Sequence, residues 1–267
     1  MTKLKYKLTN DGLFKLLFVK YPDLLKRLVA ELLGIPYESI EEFVITNPEM
    51  QPETLGGKFC RLDINMKVDG RCVDLEVQVE DEKDYVERSV FYWAKDFTAA
   101  LPKAGDYVNL PPTIVISIIA FPLFGCAGFH SEFRLLEVTR HEPLTDKMCL
   151  HYFELPKIPK NVSKNDGLLL WLSLFGSETE EDIQKIQNME VPIMEQVIEA
   201  YRHVSASDEL RELERMRERA RYNEAAALNR ARRENTKEIA KNLKAKGFDV
   251  TDIAEATGLT IDDILRL

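Results

Sequence analysis

The chain has 267 residues, 45% of them hydrophobic, which is enough for one large domain or for a domain with an appendage. It contains no run of about 18 apolar residues, and its N-terminal MTKLKYKLTNDG lacks an apolar signal region, so neither a membrane helix nor a secretory signal is expected. The net charge of −9 falls entirely in the first 204 residues, because the 13 basic and 13 acidic residues from 205 onward cancel. An acidic body repels nucleic acid at long range, so any action on DNA requires local basic groups or bound cations.

The cysteines and histidines are few and scattered. No two cysteines form a CxxC pair, which favours reduced thiols in the cytoplasm over disulfides or a zinc site. The histidines show no spacing typical of metal ligands. These residues are Cys60, Cys72, Cys126, Cys149, His130, His141, His151 and His203.

The first hundred residues predict helices around a hairpin. Residues 10–34 carry apolar residues at helical spacing, interrupted by Pro22, which predicts two amphipathic helices ending at Gly34. A loop is expected over 47–57, and the segment 59–80, FCRLDINMKVDGRCVDLEVQVE, predicts two strands joined by a tight turn. The next stretch predicts a helix over 83–101 with one apolar face and an aromatic cluster in the core; the face is Val86, Val90, Trp93 and Phe97, and the cluster is Phe91, Tyr92 and Trp93.

The middle of the chain predicts strands and one buried helix. TIVISIIAF (113–121) is nearly all apolar and bounded by prolines, the pattern of a strand buried on both faces. Further strands are expected at 133–138 and 149–155, and a buried helix at 167–175. The order of these elements predicts an α/β sandwich with a mixed sheet.

The C-terminal part is rich in charged helices. The stretch 205–246 has sparse apolar positions, and its arginines alternate with acids, as on a solvated, salt-bridged helix. The last residues predict a helix-turn-helix, with Thr251 and Thr260 as N-caps and Gly258 in the turn. Its second helix, TIDDILRL, has one arginine and two acids, which favours an interaction or oligomerisation element over a DNA-recognition helix.

The hairpin places acidic residues next to each other. Asp69-Gly70 is a strong two-residue turn, and the register it sets puts Asp63 opposite Glu76, with Asn65 opposite Asp74. Opposed carboxylates have Cβ atoms about 5 Å apart and repel by roughly 1 kcal/mol in water and about 3 kcal/mol at an effective dielectric of 20. Two explanations stay open: an exposed polar face whose side chains splay apart, or a divalent cation held between the carboxylates.

These residues resemble a known nuclease core. An Asp on one strand and Glu-x-Gln on the next resembles the PD-(D/E)XK arrangement, and the chain resembles the recombination-promoting nuclease (Rpn) and transposase family of that type. The likeness extends over most of the chain in the expected order. The stretches that carry it are NDGLFKLLF (10–18), RLDI (61–64), DLEVQ (74–78), RSVFYWAKDFTAALPKAGDYVNLPPTIVISIIAF (88–121), HYFELPK (151–157) and IAEATGLTIDDILRL (253–267).

The resemblance implies a metal-dependent endonuclease that hydrolyses DNA phosphodiester bonds, in recombination or mobile-element processing. It implies Asp63 and Glu76 as ligands of Mg²⁺, or of Mn²⁺, with the Val77 carbonyl as a third ligand. Asp11 is either an additional ligand or water anchor, or a helix N-cap beside Asn10. Gln78 stands where the general motif has Lys; a glutamine can orient a water but supplies no positive charge.

Other groups near these strands have two interpretations each. Lys15 and Lys67 could supply the charge that Gln78 lacks, although lysines are more often solvated than catalytic. At helical spacing after the hairpin, a second set either lines a phosphate-binding edge or forms a solvent face; it consists of Arg88, Tyr92 and Lys95.

The resulting hypothesis is a restriction-endonuclease-like α/β domain over 1–175, a mixed sheet flanked by helices, followed by a helical extension over 176–267. It predicts a cytoplasmic enzyme that acts on DNA, does not bind membranes and forms a homodimer through the helical C-terminal region, since a double-strand break requires two cuts. The alternative is a catalytically weak or inactive nuclease fold that binds DNA or a protein partner.

Overall fold

The computed structural model describes residues 2–47, 64–101 and 106–267, together with the backbone of the short paired strands 54–55 and 58–59. By its contacts the chain divides into two compact units, one made of Met1–Thr54 and Cys60–Leu210 and the other of Leu55–Phe59 and Arg211–Leu267.

The elements follow the order expected of an α/β chain with a helical C-terminal part. The helices are α1 (Asp11–Lys20), α2 (Pro22–Leu33), α3 (Tyr85–Ala99), α4 (Gly167–Phe175), α5 (Glu180–Gln187), α6 (Pro192–Ser205), α7 (Asp208–Ala245), α8 (Val250–Thr257) and α9 (Ile261–Leu265). The strands are β1 (Phe43–Ile45), β2 (Thr54–Leu55), β3 (Lys58–Phe59), β4 (Ile64–Val68), β5 (Arg71–Gln78), β6 (Thr113–Ile119), β7 (His130–Phe133) and β8 (Met148–Glu154).

The first two helices have the boundaries that the sequence predicts. The Asn10 side chain caps α1 by accepting a hydrogen bond from the Leu13 amide at 2.8 Å. Pro22 starts α2, and Gly34 ends it in the left-handed conformation, with φ of 64°, which glycine adopts without steric cost. Because Asn10 is the cap of α1, the interpretation of Asp11 as that cap is wrong.

The main sheet is mixed, as predicted, with the strand order β1-β4-β5-β6-β8-β7. Its centre, β5-β6-β8, is parallel, and the pairs at either side are antiparallel. Every residue of β6 is buried, which confirms a strand covered on both faces.

One face of this sheet forms the principal core with the helices α1, α2, α4, α5 and α6. Residues of α5 and α6 such as Ile183 and Val197 belong to it, although they follow the boundary that the sequence places between residues 175 and 176. An aromatic cluster lies within this core: Phe14, Phe18, Trp171 and Phe175, with ring centroids 5.2 to 6.4 Å apart.

The opposite face packs against α3. The helix is where the sequence predicts it, but the residues that it buries fully against the sheet are Tyr85 and Ser89. Trp93, which the prediction includes, is partly buried there and donates to the Thr113 carbonyl. The predicted face is wrong at Val86 and Val90, which are exposed, and Phe91 is 64% exposed instead of lying in the core. The sheet surface under α3 carries polar side chains. The hydroxyl groups of α3 can form hydrogen bonds with them, whereas aliphatic side chains cannot.

One predicted strand is misplaced. The sequence predicts a strand over 133–138, whereas β7 ends at Phe133 and the residues after it leave the sheet. The strand pairs through His130–Phe133, a polar stretch that its own pattern does not mark as sheet.

The second unit has a small core of its own, made by the end of α7 with α8 and α9: Ala240, Ile253 and Ile264 are its buried members. Thr260 caps α9 and Gly258 ends α8 with φ of 71°, as predicted. The predicted cap at Thr251 is wrong, because the Asp249 side chain accepts from the Thr251 amide and caps α8. Among the described helices, none combines the length and the apolar character needed to cross a bilayer.

Candidate active site

The hairpin register matches the sequence prediction over the described residues. Asp69 and Gly70 have φ of 47° and 73°, as a type I′ turn requires. The pairs run from Val68–Arg71 through Asn65–Asp74 to Ile64–Leu75. Asp63, the first of the two predicted metal ligands, lies outside the described residues.

Three polar side chains follow one another on a single face of β5. Asp74, Glu76 and Gln78 alternate with apolar residues and are all buried, Glu76 to 3% exposure. Two carboxylates and an amide on a buried strand face require hydrogen bonds or cations to offset their loss of water. An exposed polar face, which the sequence leaves open, is therefore wrong for the residues on β5.

Tyr85 holds the carboxylate of Glu76. Its hydroxyl donates a hydrogen bond to Glu76 Oε2 at 3.0 Å, and both groups are buried. Burial, and next the negative charge of Glu76, raise the pKa of Tyr85 well above its usual value, so the tyrosine stays protonated and remains a donor. The sequence carries no signal for this contact, since it depends on how α3 lies across the sheet.

The strand register adds two hydroxyl groups beside Glu76. Ser117 of β6 pairs with Glu76, and Tyr152 of β8 pairs with Ser117, which sets the three side chains in a row about 4.8 Å apart from strand to strand. Ser89 of α3 contacts the Tyr152 hydroxyl from above. The row gives the Glu76 carboxylate a buried, polar and fixed setting.

Arg88 is a positively charged residue on α3, the helix that also carries Tyr85 and Ser89. Its Nη1 donates to Glu82, and its guanidinium carbon lies 5.1 Å from the Tyr85 ring centroid. Its Nε and Nη2 are buried and have no hydrogen-bond partner within the described parts of the chain. Of the set that the sequence groups with it, Tyr92 is half-buried and Lys95 is exposed.

Two further residues of the predicted site, Val77 and Gln78, lie on β5. Gln78 donates to the Glu80 carbonyl through Nε2. The Val77 side chain points into the principal core. The Gln78 carbonyl accepts from Ala120 beyond β6, so by alternation the Val77 carbonyl points to the β4 side of the strand.

Two residues of α1 complete the sequence predictions. Asp11 lies in the first turn, half-buried, and its role as a ligand stays a prediction. Lys15 is only 4% exposed, so the interpretation of a solvated lysine is wrong for it, whereas Lys67 is exposed. An ammonium group in a buried position needs a negative partner or loses its proton, which makes Lys15 the more informative of the two lysines.

Glu154, at the end of β8, is a buried carboxylate that the sequence predictions do not include. It is fully buried on the face that α3 covers, in the row Gln78–Ile119–Glu154. Its Oε2 accepts from the Leu123 amide at 2.7 Å and pairs with Lys157 at 2.6 Å. These contacts fix the loop after β6 over the end of the sheet. In the sequence, the spacing of Glu154 and Lys157 is only a weak signal for their ion pair.

The sequence matches the family described as PD-(D/E)XK nuclease family transposase over residues 8–231. The chain belongs to this family. The match covers both strands of the hairpin, α3 and the parallel centre of the sheet, and the observed fold is that of a PD-(D/E)XK α/β protein with a helical C-terminal part. No curated protein and no solved structure matches the chain.

Proposed function

We propose that this PD-(D/E)XK family member is a cytoplasmic, metal-dependent DNA endonuclease that hydrolyses phosphodiester bonds in recombination or mobile-element processing. The observation that carries the proposal is the buried carboxylate of Glu76. It lies on the second strand of the hairpin and is oriented by Tyr85 of α3. Membership of a nuclease and transposase family supports the reaction class and DNA as its substrate.

The donor atoms on β5 suit a hard divalent cation. Carboxylate and carbonyl oxygens are the groups that Mg²⁺ and Mn²⁺ prefer, and the cation would also offset the buried negative charge of Asp74 and Glu76. Glu76, the Val77 carbonyl and Asp63 are the proposed ligands, with Asp11 as an additional one. When bound, Mg²⁺ polarises the phosphate and lowers the pKa of a water molecule, which is the chemistry that hydrolysis needs.

The residues around Glu76 orient the reaction. Tyr85 keeps one carboxylate oxygen fixed, so Glu76 does not have to reorganise when substrate binds. Gln78 offers an amide that positions a water but cannot neutralise charge. The loop that Glu154 and Lys157 hold over the same end of the sheet restricts access of bulk water.

Positive charge for the phosphate comes from Arg88 and Lys15 in this proposal. Arg88 lies within electrostatic range of Glu76, and its guanidinium has the planar fork of donors that pairs with a phosphate. Positive charge near the carboxylates offsets the acidic field of the protein at this point.

The first test is nicking of supercoiled plasmid by the purified full chain. We expect cleavage with Mg²⁺ or Mn²⁺, none with EDTA, and loss of cleavage in Asp63→Asn, because the proposed site would lose one of its carboxylate ligands. Asp69→Asn, an exposed aspartate in the hairpin turn, is the matched control and should keep its activity. Absence of metal-dependent cleavage in the wild type would contradict the enzyme proposal.

A module that binds without cutting is the second candidate, and Gln78 in place of lysine favours it. Electrophoretic mobility shifts with linear fragments of the test plasmid distinguish the two functions. DNA binding that needs no metal, in a protein that does not cleave, would support the module and remove the hydrolase from consideration.

A homodimer through the helical C-terminal region would allow both strands to be cut. Met216, Tyr222 and Leu228 are exposed apolar side chains of α7 that such a contact could cover. Light scattering should then give twice the mass of the chain, and a truncation after residue 210 should give the monomer mass. A monomeric full chain at micromolar concentration would refute the dimer without affecting the nicking result.

Tyr85→Phe should weaken the response to metal while leaving the fold intact. Removing the hydroxyl takes away the donor that orients Glu76 Oε2, and loss of such outer contacts typically costs 10- to 100-fold in metal affinity, so we expect the half-saturating Mg²⁺ concentration to rise by about that factor. The measurement is the nicking rate as a function of Mg²⁺ concentration. Circular dichroism checks that the variant is folded.

Tyr201→Phe is the matched control for this experiment. It also removes the hydroxyl of a buried tyrosine, but Tyr201 lies on α6 in the principal core, where its hydroxyl donates to the Tyr6 carbonyl at 2.7 Å. Equal Mg²⁺ requirements in the two variants would mean that the Tyr85 hydroxyl does not act through Glu76.

A further inference from the structure

A second group of ligand-type side chains lies on the sheet face opposite to Glu76. It is carried by β7, the edge strand, and by β8 next to it. Each strand contributes residues two apart, so their side chains point to one face: His130 and Glu132 from β7, Cys149 and His151 from β8. No CxxC or helical spacing marks these residues in the sequence, because only the pairing of the two strands brings them together.

The donor atoms of three of these residues converge. The Cys149 Sγ lies 3.1 Å from the His151 Nε2 and 3.5 Å from the Glu132 Oε1, and all three donor atoms lie within 4.8 Å of one another. In a tetrahedral zinc site, bond lengths of about 2.3 Å to sulfur and about 2.0 Å to nitrogen or oxygen set neighbouring ligands roughly 3.5 Å apart. The three groups therefore need only small shifts to share one ion.

We infer that Glu132, Cys149 and His151 form a zinc site that ties the edge strand β7 to β8. A thiolate, an imidazole and a carboxylate are a donor set that zinc prefers, whereas Mg²⁺ and Ca²⁺ prefer oxygen ligands alone. Three protein ligands leave a fourth position for water or another donor. The site is distinct from the proposed nuclease centre, because Cys149 and Glu76 lie on opposite faces of the sheet and on strands separated by β6.

Neighbouring side chains orient two of the proposed ligands, as they do around metal sites. The His151 Nδ1 lies 3.0 Å from the His130 Nε2, so His151 can donate its proton there and keep the lone pair of Nε2 directed at Cys149 and Glu132. Arg134 donates to the Glu132 carboxylate and fixes its orientation. Contacts of this kind, from the outer groups to the ligands, orient zinc sites in other proteins.

The test is metal content followed by cobalt substitution, on full-length protein purified without a metal-affinity tag. We expect about one zinc per chain by mass spectrometry of the metal, and after replacement by Co²⁺ a near-ultraviolet thiolate charge-transfer band with visible bands of tetrahedral cobalt. Cys149→Ser should lose the charge-transfer band. Cys126→Ser, an exposed cysteine near Ser131, is the matched control and should keep it.

Two further variants keep the test decisive if Cys149→Ser does not fold. Glu132→Gln alters an exposed residue. The affinity of this variant for Zn²⁺ should fall by about tenfold or more, because even changes in the groups around a metal's ligands lower metal affinity by that much. Glu76→Gln should retain the thiolate band, which separates this site from the nuclease centre. Absence of zinc and of the thiolate band in the wild type, or unchanged Zn²⁺ affinity in Glu132→Gln, would overturn the inference.

Discussion

Replacing Glu76 by glutamine is expected to lower the rate of DNA nicking by about 100-fold or more at saturating Mg²⁺. The substitution keeps the size of the side chain and its hydrogen-bonding oxygen but removes the negative charge. A metal ion that polarises a phosphate contributes several kcal/mol to the transition state, and each 1.4 kcal/mol corresponds to about a factor of ten in rate. The measurement is single-turnover nicking of plasmid, with enzyme in excess.

The matched control is Glu87→Gln, which makes the same change in charge on the exposed side of α3. It should keep the wild-type rate within about twofold, because an exposed charge is screened by solvent. A Glu76→Gln variant that still cleaves at the wild-type rate, or a control that loses as much, would remove Glu76 from the catalytic site. Circular dichroism of both variants ensures that a lost rate is not a lost fold.

The same assay decides whether Lys15 supplies the charge that Gln78 lacks. Lys15→Met keeps the apolar stem of this buried side chain and removes the ammonium group, and we expect a fall in rate of about tenfold or more. Lys67→Met, at an exposed position of β4, should have little effect. Equal rates in the two variants would assign Lys15 a role in folding alone.

What the sequence predicts well in this chain is encoded locally. The Asp69-Gly70 turn has only one comfortable geometry, so it sets the register of β4 and β5, and the apolar alternation then determines which face is buried. The Asn10 and Gly34 caps and the wholly apolar β6 are equally local signals. The family resemblance rests on the same segments and is confirmed over residues 8–231.

What the sequence does not predict depends on contacts between distant elements. The rotation of α3 about its axis is set by the hydroxyl groups that reach Glu76 and Tyr152, so its apolar pattern indicates the wrong face. The group of Glu132, Cys149 and His151 arises only when β7 pairs with β8, and neither strand shows a metal motif by itself. In both cases polar chemistry, and not hydrophobic periodicity, determines which residues meet.

Phe18→Ala is expected to destabilise the first unit by about 3–5 kcal/mol. Phe18 is fully buried, and its ring centroid lies 5.2 Å from Phe14, 6.2 Å from Trp171 and 6.4 Å from Phe175. Truncation removes buried apolar surface and leaves a cavity among rings that are held on different helices and cannot close around it. The measurement is urea unfolding of the full chain, followed by tryptophan fluorescence and circular dichroism, with the shift read from the first transition if the two units unfold separately.

Phe91→Ala is the matched control, and it also tests how α3 packs. Phe91 is 64% exposed, so the same chemical change should alter the free energy of unfolding by no more than about 0.5 kcal/mol, and alanine's higher helix propensity offsets part of any loss. If Phe91→Ala instead destabilises the protein as strongly as Phe18→Ala, the helix buries Phe91, as the predicted aromatic cluster in the core requires. Tyr85 would then turn away from the sheet and could not donate to Glu76, and the account of the active site would fail together with that of the fold.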